Sequence, residues 1–235
     1  MWVRFYYIQM KVGLHWNSKT IQKKSKKKER RLAESHSDDE DSPSGPSILP
    51  MMISKTQGAS VYSHNNKIYF NDDITDTTCF QLNKELRVVA ERMKIISVLH
   101  SHDPMPIYLH LTTNGGQIHA AFSVIDCIQK LGVPVYTVVD GFVASAGTLI
   151  SICGERRFML PNAYMLIHEL RSEFWGKMTD IEEEIKNLKK TMDHVTGLYT
   201  KYTSLSLTQL EKILKRDAIW NAEECKKKGL VDDLM

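Results

Sequence analysis

Three polar side chains have neighbours that suit nucleophilic chemistry. In the run Asp140 to Gly147 (DGFVASAG), Ser145 is flanked by Ala144 and Ala146 and followed by Gly147. Small neighbours let the backbone turn sharply, so the hydroxyl projects into a cleft. The Ala146 amide then points the same way at the start of a helix, where it can donate to an oxyanion. A second donor is available in Asn114, Gly115 and Gly116, because glycines at a strand end allow a close substrate approach that a side chain would block. His168 follows the apolar run YMLI, at a strand end, where functional groups of α/β sheets gather. Asp217 precedes Ala218, Ile219 and Trp220, an apolar cluster able to bury its carboxylate. A hydroxyl, an imidazole and a carboxylate are the parts of a serine nucleophile, its base and the group that orients the base. Each also has an ordinary reading: a turn that packs helix on strand, a histidine satisfied by backbone, a surface or capping aspartate.

The elements that must bring these residues together follow from periodicity. Ser60 to Phe70 reads as two short strands around His64, Asn65 and Asn66. Thr75 or Asp76 caps a helix to about His100, with Phe80, Leu82, Leu86, Val89, Met93, Ile96 and Leu99 at helical spacing. Ile107 to Leu111 is a buried strand ending at the glycine pair, Ile118 to Leu131 a helix, and Val133 to Val139 another strand. That order is a crossover unit and implies a parallel pair. A helix from Ser145 to Gly154, a strand from Tyr164 to Ile167 and a helix from Thr179 to Tyr202 come next. Along the last, Ile181, Ile185, Leu188, Met192, Val195, Leu198 and Tyr202 form one apolar stripe. A helix from Leu207 to Leu214, capped by Ser206, precedes Asp217, and a short amphipathic turn closes the chain.

Bulk composition sets the frame. A chain of 235 residues, 42% hydrophobic and 25% charged, holds one α/β domain with a tail. The formal net charge of +3 is concentrated in the basic run Lys19 to Arg31, which is followed by the acidic run Asp38 to Asp41 and the turn-rich Ser42 to Pro50. Residues 1–52 are therefore expected to be a disordered extension, and 53–235 the folded domain. A nucleic-acid partner does not follow from that charge. The four cysteines have neither CxxC nor metal-ligand spacing and read as reduced, mostly buried thiols. No apolar run reaches the roughly 18 residues of a membrane span, and the start lacks a secretory pattern. The expectation is a soluble, intracellular protein, cytoplasmic by default.

Ser145, His168 and Asp217 in that order, with the glycine pair upstream, resemble the Clp protease proteolytic-subunit family. The resemblance runs from about Lys67 to Leu234. DGFVASAG is similar to its nucleophile turn, RRFMLPNAYMLIH to its histidine strand and LKRDAIWNAEECKKKGLVDDL to its aspartate segment. This implies an α/β fold of the ClpP/crotonase type, a spiral of β-α-β units with a protruding handle helix. It further implies peptide hydrolysis with Ser145 as nucleophile, His168 as general base and Asp217 as orienting carboxylate. The amides of Gly116 and Ala146 would form the oxyanion hole. Gly115, Gly116, Gln117 and Ile118, with Leu170 and Arg171 after the histidine, would pair with an extended polypeptide substrate. No metal or cofactor is implied. Two stacked seven-membered rings joined through the Thr179 to Tyr202 handle are implied, as is an AAA+ unfoldase partner. The lone apolar stripe supports an oligomer independently.

The chain also departs from the family pattern. Asn114 replaces the usual proline, and ELRSE at 169–173 replaces a glutamine-, proline- and glycine-rich segment. His110 and Lys130 stand where aromatic residues line the pocket for the unfoldase, and Lys215 replaces an acidic residue. Two rival readings follow: a crotonase-like acyl-CoA enzyme, which needs no such serine and histidine, and a catalytically altered ring subunit or interaction protein.

Overall fold

The computed structural model describes residues 60–235. The expected extension at 1–52 lies outside these residues, as does the first stretch of the expected folded domain.

Strands β1 (Val61–His64) and β2 (Lys67–Asn71) pair antiparallel across a turn at Asn65 and Asn66. Asn65 takes a positive φ of 54°, which asparagine tolerates better than most residues. Helix α1 (Asp76–His100) begins at Thr75, whose hydroxyl and that of Thr78 satisfy each other's backbone amides in a capping box. Its buried face consists of Cys79, Leu82, Leu86, Val89, Ala90 and Met93. Phe80 and Leu99 of the expected stripe are exposed at 69% and 73%. Each residue advances about 100° around the helix, so Phe80 is turned well away from the line through Leu82 and Leu86.

Strand β3 (Ile107–Thr113), helix α2 (Ile118–Lys130) and strand β4 (Val135–Ala144) form the expected crossover unit, with β3 and β4 parallel. Burial alternates along β3: Ile107, Leu109, Leu111 and Thr113 face the core, and Tyr108, His110 and Thr112 the other side. Strand β4 runs five residues past the expected end at Val139. Its register against β3 shifts there, with Leu111 opposite Val139 but Thr113 opposite Val143. The extra residues bend β4, and it changes partner at the bend. Tyr136 to Val139 pair with β5 (Arg156–Met159), and Phe142 to Ala144 pair with β6 (Tyr164–Ile167).

Helix α3 (Ala146–Ile152) is shorter than expected and fully buried, with Ser145 as its N-cap. Helix α4 (Met178–Tyr202) buries Val195, Leu198 and Tyr199 in its second half. Its first half leaves Met178 and Ile185 exposed, as is Trp175 just before it. Helix α5 (Leu207–Leu214) starts at the Ser206 cap. The expected closing turn is instead strand β7 (Ala218–Asn221), helix α6 (Ala222–Lys227) and strand β8 (Asp233–Leu234). Only four residues long, β7 has too little alternation to read from sequence, yet it pairs antiparallel with β6. The sheet order is β1-β2-β3-β4-β5-β8, with β6 and β7 branching from β4. One core joins the sheet to α1, α2 and α3, with Leu82, Leu111, Val124 and Ile150 at or near zero exposure.

Candidate active site

The end of β4 delivers Ser145 into the sharp turn before α3. Its backbone sits at φ 54° and ψ −125°, a conformation that costs a non-glycine residue on the order of 1–3 kcal/mol. Neighbouring bonds hold it there. The Ser145 amide donates to the Leu166 carbonyl at 2.9 Å, continuing the β4 to β6 ladder. The Ser145 carbonyl accepts from the Thr148 amide at 3.0 Å and from Thr148 Oγ1 at 2.6 Å. Thr148 Oγ1 also bonds Tyr199 Oη, deep in the core. Burial pushes the Tyr199 phenol well above its ordinary value, so it stays protonated and able to take part. Neither Thr148 nor Tyr199 was singled out from sequence. The i, i+3 spacing of Thr148 from Ser145 is a readable capping pattern, whereas Tyr199 sits on α4, where spacing alone pointed only to packing.

Two backbone amides, of Ala146 and Gly116, have no acceptor among the described residues. Ala146 is the first residue of α3, so its amide has no carbonyl one turn earlier. Gly116 bridges Ile74 in parallel: Ile74 N donates to Gly115 O and Gln117 N to Ile74 O, both at 2.8 Å. That pattern leaves the Gly116 amide directed away from Ile74. A Cβ at Gly116 would stand 2.2 Å from Ile74 O, and one at Gly115 would stand 2.6 Å from Ser145 Cβ. The glycine pair is thus wedged between the Ile74 backbone and the serine, and both positions are at positive φ.

His168 lies just beyond β6 and Asp217 just before β7. Ile167 faces Ala218 across that antiparallel pair, so His168 and Asp217 each lie one residue beyond its last register pair, where the Ala218 amide donates to the Arg216 carbonyl at 2.8 Å and closes a tight turn about Asp217. Ser145 likewise follows Ala144, which faces Leu166. The three come to one edge, but no hydrogen bond joins them among the described residues. His168 Nδ1 lies 2.7 Å from the Glu169 carbonyl. A carbonyl only accepts, so Nδ1 carries a proton in this contact, and in the neutral tautomer that this selects Nε2 holds the lone pair a general base requires. Asp217 bonds Arg171 Nη2 at 2.5 Å instead. Its expected burial is not found: Asp217 is exposed, Ile219 is 56% exposed, and only Trp220 of the cluster is buried. Strand β7 turns alternate side chains to opposite faces, so an apolar run there cannot cover the residue before it.

The other expected contact residues occupy different settings. Gln117 caps the start of α2 and accepts the Asp76 amide at 3.0 Å. Ile118 is already helical, so Gly116 and Gln117 are the extended part of that stretch. Leu170 is half-buried, while Arg171 is exposed and engaged with Asp217. A cleft of about 270 Å³ beside the glycine turn is lined by Asp72, Asp73, Asn114 and Phe142. A larger cavity of about 560 Å³ at the far end of β4 holds none of the expected site residues. Its Cys153 thiol is pushed up to about 12 by burial, so it stays protonated and is a poor nucleophile. Among the described residues no three His, Cys, Asp or Glu groups stand together as a metal site, and no helix is long and apolar enough to cross a membrane.

A family model described as Clp protease matches residues 60–235, the whole described region. The chain belongs to the Clp protease family. It is 29% identical over 174 residues to the ATP-dependent Clp protease proteolytic subunit 1 of Chlamydia abortus, covering 72% of this chain and 85% of that protein. To the protein of the same name from Chlamydia muridarum it is 30% identical over 176 residues, covering 73% and 86%. The mixed α/β architecture is that of the Clp protease fold, and at family level the chain is a serine peptidase. The crotonase-like acyl-CoA rival is set aside by this membership.

Proposed function

We propose that the chain is the peptidase core of a Clp-type protease and cleaves peptide bonds with Ser145, His168 and Asp217. The observation that carries this is the strained Ser145 turn, flanked by the free amides of Gly116 and Ala146. Such strain persists only where surroundings enforce it, and it clusters at functional sites. His168 Nε2 takes the Ser145 proton as Oγ bonds to the substrate carbonyl carbon. The two amides receive the resulting oxyanion, each worth about 3 kcal/mol. The imidazolium then gives its proton to the departing amine, leaving an acyl-enzyme, and water drawn through the same base releases the acid. Asp217, once turned to His168, fixes the imidazole tautomer and stabilises its charge. Extended peptide adds beside Gly116 on one side and to Leu170 and Arg171 on the other through backbone hydrogen bonds, a mode that tolerates many sequences; the Gln117 amide and carbonyl are already taken by Ile74 and Ala121.

The relatives are named as proteolytic subunits of an ATP-dependent protease. By that analogy this chain works in stacked heptameric rings, hydrolyses peptides without ATP itself and receives polypeptide from an AAA+ unfoldase. The exposed Trp175, Met178 and Ile185 at the start of α4 support burial of that helix against other copies. His110 counts against an ordinary unfoldase contact: it stacks on Tyr69 at 4.5 Å and bonds Asp140 at 2.9 Å, making a polar spot on an otherwise aromatic sheet face. Four free, buried cysteines fit an intracellular, reducing compartment.

A fluorophosphonate probe tests the proposal. Labelling at Ser145, lost in Ser145→Ala, is expected from an assembled sample. No labelling in such a sample would instead favour the altered-subunit reading, for which the Arg171 hold on Asp217 is the specific support.

A further inference from the structure

The segment after His168 contains a guanidinium that has captured the orienting carboxylate. Arg171 Nη2 is 2.5 Å from Asp217 Oδ2, and the side chains are 70% and 56% exposed. Across the same strand pair His168, one residue beyond Ile167 as Asp217 is one before Ala218, directs Nδ1 to the Glu169 carbonyl. The carboxylate is thus held by Arg171, while the imidazole that would need it in catalysis is held by a backbone carbonyl.

We propose that Arg171 is a positioning residue that competes with His168 for Asp217, so that catalysis requires this ion pair to open. The inference rests on reading Ser145, His168 and Asp217 as the catalytic set. Its physical basis is the weakness of the restraint. An ion pair this exposed is screened by salt and biases an equilibrium only about two- to five-fold. That is enough to lower the population of the assembled site and weak enough for a binding substrate to reverse. Arg171 lies on the segment expected to pair with extended peptide, so ordering that segment along a substrate strand moves the guanidinium as it forms the site. Both residues lie one step beyond the last register pair of β6 and β7, Ile167 and Ala218.

Arg171→Gln in the full-length chain is the test, with Arg171→Lys as the charge-conserving control. Expected is a two- to five-fold faster reaction of Ser145 with a fluorophosphonate at low ionic strength. The wild type and Arg171→Lys should accelerate with added salt, and Arg171→Gln should not. A second readout does not depend on activity. The low-field proton resonance of an imidazole Nδ1–H donating to a carboxylate should strengthen in Arg171→Gln and vanish when Asp217→Asn is added. Equal rates and equal salt dependence in wild type and Arg171→Gln, with an unchanged low-field spectrum, overturn the competition. A slower Arg171→Gln also overturns it, since Arg171 would then be a support for Asp217. If no protein labels at all, the peptidase reading fails, whereas the resonance still decides whether Arg171 and His168 share the carboxylate.

Discussion

The two halves of the candidate site are built differently. On the serine side, the turn is fixed by backbone: the β4 to β6 ladder, the Thr148 clasp on the Ser145 carbonyl, the buried Tyr199 behind it and glycines with no room for a Cβ. On the histidine side, two side chains at the outer ends of four-residue strands hold other partners. The half proposed to bind developing charge is the one held by backbone, as preorganised electrostatics demands. The half proposed to move a proton has no such backbone restraint on its side chains.

The largest expected effect tests the half held by backbone. Ser145→Ala should reduce peptide hydrolysis by on the order of 10⁶-fold, measured by single-turnover cleavage of a fluorogenic peptide, while thermal unfolding stays close to the wild type. Gly116→Val should lower activity by at least about 10²-fold and also destabilise the fold, because the new Cβ meets Ile74 O. Retention of near-normal activity would show that the glycine turn is not the second oxyanion donor. Tyr199→Phe leaves Thr148 Oγ1 with the Ser145 carbonyl as its remaining partner, and it should cost about 1 kcal/mol in denaturant unfolding. A larger loss in kcat than in KM would tie that core phenol to the serine turn.

Away from the site, Arg157 donates to the carbonyls of Tyr202 and Gly229 and pairs with Asp232. Burial alone would raise the Asp232 carboxyl, but the hydrogen bonds and charge of Arg157 outweigh it and hold the group below its ordinary 3.8. A depressed carboxyl contributes stability above its unfolded value and loses it as pH falls through the folded one. Asp232→Asn should therefore be less stable at pH 7 by about 1 kcal/mol, a modest figure because the pair is partly exposed. The difference should shrink below pH 3.8, as followed by urea unfolding across pH. The smallest effect concerns the outer sheet face. His110→Tyr should raise unfoldase-dependent degradation of a folded substrate a few-fold if the polar spot weakens docking, with peptide cleavage unchanged.

What was readable in the sequence follows the same division. Ser145, the glycine pair and the apolar strand before His168 were legible because small residues and apolar runs constrain backbone locally. So were α1, α2 and α4, whose spacing is sustained over many turns. The partner change of β4 was not legible, since it depends on strands that arrive later in the chain. Nor was the exposure of Asp217, because its apolar neighbours were read as a cluster when β7 splits them between two faces. The hold of Arg171 on Asp217 joins residues 46 apart, and no local pattern announces a contact of that range.

The bend in β4 carries one more consequence, in thermal terms. Beyond Val139 the strand keeps β3 on one side but exchanges β5 for β6, whose other neighbour is β7, each four residues long. Short peripheral strands open at lower free energy than the central sheet. On warming, the ledge that carries the histidine and the aspartate should come loose while β2, β3 and the first half of β4 stay paired. Peptidase activity should then fade at temperatures where far-ultraviolet circular dichroism still reports a folded chain.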